Sequence, residues 1–261
     1  MKNRSRARVD EAQSEGRSPL ERAEALVEEL RSLGSAGGRA SMARFGIEVG
    51  DAFGVSVYEV RKVARRVGTD HALALALWKT GHHEARLLAC FVDDPGRVTP
   101  RQMQSWAKDF HSWDVCDQAT TSLFDLTPHA WGKAAEWAKR EEEWLKRAGF
   151  ALMAGLAVHD KTAPDRDFLR LLPLIERGAF DERNFVKKGV NWALRNLGKR
   201  NLALRDAAVA CAEHIQVLAS RRAGGERGGD SACRAARWVA ADALRELRSE
   251  KTLARLKRKS R

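Results

Sequence analysis

Helix-start signals punctuate this chain, and almost nothing in it alternates as a strand does. Ser18-Pro19 with Glu21 and Thr99-Pro100 with Gln102 each combine an N-cap residue, a proline at the first helical position and a capping-box partner. Ser56 with Glu59 gives another capping box, and Thr127-Pro128 another N-cap followed by proline. Between them, segments such as VYEVRKVARRVG, HALALALWKTG and DRDFLRLLPLIERG carry apolar residues at helical spacing. Proline is scarce and tyrosine occurs once, while Ala, Leu, Arg, Glu and Lys dominate. An all-α fold is expected.

Five segments share a pattern, a polar residue just ahead of a small, apolar inner stripe: EARLLACFVDD, CDQATTSLFD, KRAGFALMAGLAVHD, KKGVNWALRNLGK and ARWVAADALRELR. The polar residues are Arg86, Asp117, Arg147, Lys188 and Arg237, separated by 31, 30, 41 and 49 residues. One helix pair per interval is the range of HEAT-like solenoids, whose units bury their faces on one another. The expected architecture is a single right-handed α-solenoid of about five or six helix pairs over residues 18–254. A polar and basic tail, 1–17, would precede it and a basic tail, 255–261, follow it, both poorly ordered. The Gly-rich stretch 221–232 reads as a flexible loop before the last helix.

Lys and Arg number 47 against 35 for Asp and Glu, a formal charge of +12. That excess suggests a polyanion, nucleic acid first and an anionic membrane surface second. No apolar run approaches the roughly 18 residues of a membrane span, and the N-terminus has no apolar core of a secretory signal. Cys90, Cys116, Cys211 and Cys233 are scattered without disulfide-like spacing, so a reduced, cytoplasmic (nucleoid-associated) monomer is expected. His82-His83-Glu84 has no cysteine close by and its histidines point to different sides of a helix. Neither a metal nor another cofactor is expected.

Residues 183–205, RNFVKKGVNWALRNLGKRNLALR, hold seven basic residues and no acid. Lys188, Trp192, Arg195 and Lys199 share one helical stripe, opposite Val186, Val190, Ala193 and Leu197. Lys187 and Arg200 add to the charge. Corresponding positions of a curved solenoid tend to line its concave side, and four of the five repeat positions above are basic. Such a groove suits a phosphate backbone, which makes Asp117, in DFHSWDVCDQ, the exception. An acid near a helix start is ordinarily a solvated residue favourable to the helix dipole. Trp113 shares its face at i−4 but also lies near Phe110 and Cys116, so it serves equally as cover for the core.

The segments MARFG, FGVSVYEVRKVA, LWKTGHHEARLLA, SWDVCD, FVKKGVNWALR and GKRN, in this order between about Met42 and Leu247, resemble the AlkD-type DNA alkylation-repair family of HEAT-like DNA glycosylases. Ser112 and Tyr58 stand where other members often carry an aromatic residue and a proline. The resemblance implies excision of cationic N3- and N7-alkylated purines from duplex DNA. It assigns Trp113, Asp117 and Trp192 to the active-site aromatics and carboxylate, and Arg147 to a basic helper. Arg86, Lys187, Lys188, Arg195, Lys199 and Arg200 are expected to bind the DNA backbone. The chemistry suits these residue types. An alkylated purine is already a cationic leaving group, and a carboxylate stabilises the positive charge that develops on the sugar. Tryptophan faces attract such cations. Two other readings are compatible with the sequence: a non-catalytic protein binding damaged or branched DNA, and a HEAT-like scaffold for an acidic protein partner.

Overall fold

The computed structural model describes residues 16–223 and 230–259, and every regular element among them is helical. The chain divides into two compact units, residues 1–98 and 99–261.

The first unit comprises α1 (Pro19–Leu33), α2 (Ala36–Arg44), α3 (Val57–Val67), α4 (His71–Lys79) and α5 (His83–Val92). Its starts follow the sequence signals. Ser18 and Glu21 form the reciprocal capping box at α1, and the Ser56 hydroxyl accepts from the Glu59 amide at α3. Leu30, Val60, Leu73, Leu77 and Leu88 form the core. Glu84 is fully buried, and its carboxylate accepts from the backbone amides of Phe53, Gly54 and Val55 at 2.8–3.0 Å. Gly54 has φ +87°, and a Cβ there would lie 2.3 Å from the Ser35 carbonyl oxygen, so only glycine lets this loop close around the carboxylate.

The second unit holds α6 (Pro100–Lys108), α7 (Trp113–Ser122), a 3₁₀ turn (Phe124–Leu126), α8 (Ala130–Trp137), α9 (Glu143–His159), α10 (Asp165–Leu169), α11 (Leu172–Gly178), α12 (Asn184–Gly198), α13 (Leu202–Ala223), α14 (Asp230–Leu247) and α15 (Glu250–Lys259). Helix α9 is its axis. Nearly every residue from Leu145 to Ala157 is buried, because α7, α8 and α12 pack around it. Gly149 allows the close approach of α8: a Cβ would sit 2.3 Å from the Ala138 nitrogen. Phe124, Trp137, Phe150 and Phe168 fill the core with no solvent exposure.

Three expectations about boundaries change. Thr127 does not cap a helix beginning at Pro128. Its hydroxyl donates to the Phe124 carbonyl at 2.7 Å and accepts from the His129 amide, closing the 3₁₀ turn, and α8 starts at Ala130. Helices α13 and α14 reach into the expected loop 221–232, whose middle, 224–229, lies outside the described residues. Helix α15 runs through Arg255 to Lys259, with Thr252 and Leu256 buried one turn apart. Most of the expected N-terminal tail, 1–15, lies outside the described residues. No helix among the described residues is long and apolar enough to cross a membrane.

Candidate nucleic-acid site

Asp117 lies on the second turn of α7 and Arg147 on the second turn of α9. Packing of these helices brings together two residues that sequence spacing had placed only in corresponding repeats. The guanidinium grips the carboxylate with two parallel bonds, Nε to Oδ1 at 2.9 Å and Nη2 to Oδ2 at 2.7 Å. Its Nη1 donates to the Phe185 carbonyl at 2.6 Å, in the first turn of α12. Three helices therefore meet at one side chain.

The pair is nearly enclosed, with Asp117 at 8% and Arg147 at 5% exposure. Burial pushes the Asp117 carboxyl above its usual range against the pull of Arg147, and the neighbouring Asp114 carboxylate pushes the same way as burial. Burial alone would lower Arg147, but the Asp117 carboxylate outweighs it and leaves Arg147 raised. A guanidinium does not give up its proton in a protein, so the charge state of the pair is decided at Asp117.

Around the pair lie half-buried aromatic residues. Trp113 stands one turn before Asp117 on α7, and Trp144 and Phe185 pack with ring centroids 5.0 Å apart. Trp144 precedes Arg147 by three residues and so shares its helix face, a spacing that could have flagged it. Phe185 is tied in through its backbone carbonyl, for which no side-chain pattern gives a signal. Asp114 is buried and accepts from the Ser112 hydroxyl at 2.5 Å, which gives Ser112 a structural partner at the mouth of α7.

The basic residues fare unequally. Lys188 is exposed, and Trp192 is half-buried on the same stripe of α12. Lys187 lies over the Trp238 ring, 5.4 Å from its centroid. Arg195 is paired with Asp242 at 3.2 Å and with Glu246, and Lys199 with Glu246 at 3.1 Å. Burial works to raise the Glu246 carboxyl, and the hydrogen bonds from Arg195 and Lys199 overcome it and hold it low. Arg200 donates to the Ala157 and Ala163 carbonyls at 3.2 and 3.0 Å and stacks on Phe168. The stretch is acid-free in sequence but not in space, because α14 lays its own acids against α12. Arg86 belongs to the first unit, half-buried over the Trp78 ring.

An all-helical protein with a buried acid–guanidinium pair beside a basic, aromatic-flanked helix is the class that fold and site define. The family model described as DNA alkylation repair enzyme matches residues 26–247, and the chain belongs to that family. No curated protein matches. Among solved structures the fold is similar, with a TM-score of 0.64, to one described as "a new family of proteins related to the HEAT-like repeat DNA glycosylases with affinity for branched DNA structures". That match has 18% identity and covers 73% of this chain and 81% of the other.

Proposed function

We propose that the protein is a DNA-repair glycosylase that hydrolyses the N-glycosidic bond of cationic N3- and N7-alkylated purines in duplex DNA. The observation that carries this reading is the Asp117–Arg147 pair, a carboxylate held in fixed orientation amid half-buried aromatic residues in a strongly basic chain. As the bond to an already cationic purine breaks, positive charge develops on the deoxyribose. Asp117 stabilises that charge and orients the attacking water, and Arg147 holds both carboxylate oxygens in one plane. Trp113 and Trp192 offer ring faces to the cation, and Lys187 and Lys188 meet the phosphates. In this reading the helix pairs of the second unit stack in the HEAT-like manner, and their basic residues line the DNA-facing side.

A second reading, binding of damaged or branched DNA without chemistry, is favoured by one specific feature: both oxygens of Asp117 already accept from Arg147. Incubation with methylated duplex DNA, followed by chromatography of released 7-methylguanine and 3-methyladenine, separates the two. Release by the wild type and its collapse in Asp117→Asn is the expected result. Binding without release by the wild type assigns the protein to the second reading.

A further inference from the structure

Helix α14 turns Ala236, Val239, Ala240 and Ala243 into the core but leaves Trp238 41% exposed. An isolated exposed apolar residue is ordinary on a protein surface. Three observations set this one apart. The Lys187 ammonium of α12 lies over the ring, 5.4 Å from its centroid. Arg237, next to Trp238 on α14, and Lys188, next to Lys187 on α12, are both exposed. The next acid along α14, Asp242, is already engaged by Arg195 and Arg245. The result is an exposed tryptophan in a field of positive charge contributed by two helices.

That combination, an aromatic face among cations, is the chemistry that recognises single-stranded nucleic acid: cations meet the phosphates and the ring stacks on a base. A fully paired duplex cannot use the ring, because its base faces are already stacked on each other. We infer that Trp238 is a stacking platform for an unpaired nucleobase, with Lys187, Lys188 and Arg237 meeting the phosphates on either side. The site rests on the DNA-binding reading above and narrows it to DNA that contains unpaired nucleotides next to duplex.

The test compares two fluorescent probes of equal length, a fully paired duplex and the same duplex with three unpaired nucleotides, by anisotropy at fixed salt. The wild type should prefer the second probe. Trp238→Ala should lose that preference, by roughly five- to a hundredfold in affinity for the unpaired probe. Its affinity for the paired duplex and its release of methylated bases should change far less than that, because Lys187 keeps its charge when the ring beneath it is lost, and its melting temperature should fall only modestly, since part of the ring is buried. Trp238→Phe, which keeps a ring, should retain most of the preference. Equal wild-type affinity for the two probes overturns the inference and points the patch toward an acidic protein surface. So does a Trp238→Ala variant that keeps the preference or weakens both probes alike. Wild-type protein that binds the unpaired probe through Trp238 but ignores the paired duplex would sustain the inference while the duplex glycosylase reading falls.

Discussion

Glu84 and Asp117 are both buried carboxylates, one in each unit, and they are satisfied in opposite ways. Glu84 is sealed and accepts only from backbone amides of a glycine-closed loop. Those donors have no freedom to do anything else, and the carboxylate acts as a bolt through the fold. Asp117 retains slight exposure and accepts from a side chain that belongs to another helix and also serves a third. A donor on a side chain can be rearranged, and half-buried aromatic residues stand beside it. By that contrast Glu84 is structural, and Asp117, held by a shared guanidinium beside half-buried aromatic residues, is the candidate for chemistry.

The largest effect should come from breaking the first of the two. Glu84→Ala strands three buried amides and should cost about 3–5 kcal/mol, read as a loss of helical signal and a lowered melting temperature. Glu84→Gln, which keeps one accepting oxygen, should cost less. The expected changes to DNA binding follow from unfolding alone and vanish in the fraction that remains folded.

Asp117→Asn sharpens the contrast. Base release should fall by about 10² or more while duplex affinity holds or rises, since a negative charge is lost from beneath a basic helix. The companion double variant, Asp117→Asn with Arg147→Met, removes the buried charge that the single change leaves behind and should recover stability. Recovered release in that double variant would reduce the pair to a structural element like Glu84.

Smaller effects separate the cations. Lys188→Ala should weaken all duplexes alike, with the salt dependence of binding reduced by about one unit, and leave thermal stability untouched. Arg200→Ala should do the reverse, because its guanidinium holds two backbone carbonyls and covers Phe168. Identical behaviour of the two variants in binding would show that Arg200 reaches DNA after all.

The smallest effect is a pH dependence at Asp181. Burial works to raise its carboxyl, but hydrogen bonding to Arg183, aided by Lys146, holds it below the usual range. A lowered folded value means that the unfolded chain binds more protons. The contribution is therefore complete above an unfolded value of about 3.9 and is lost as pH falls through the folded one. Urea titrations below about pH 4 should show a shallower acid decline for Asp181→Asn than for wild type.

Much of this molecule is legible in the sequence. Ser18, Ser56 and Thr99 cap helices where their neighbours said they would, because capping is a local bargain among four residues. The alignment of Asp117 with Arg147 was legible as a repeat correspondence, though only packing shows that the two touch. What stayed hidden is long-range. Asp242 and Glu246 neutralise Arg195 and Lys199 from 47 to 51 residues away, so an acid-free stretch overstated the open positive charge of α12. Arg200 spends its donors on carbonyls, which leave no trace in residue identity. Residues 255–261 read as a basic tail, yet Leu256, buried one turn after Thr252, seats the helix as far as Lys259.

The guanidinium of Arg147 is a flat plate. Two of its nitrogens are fastened to α7 and the third to the first turn of α12, while its stem rises from α9. A plate pinned at three points and by its stem turns only by breaking one of those bonds. A shift of α12 that leaves those bonds intact, from whatever presses on its outer face, tilts the plate and turns the carboxylate of Asp117 with it. Contact on the surface of one helix would then be registered, as an angle, inside another.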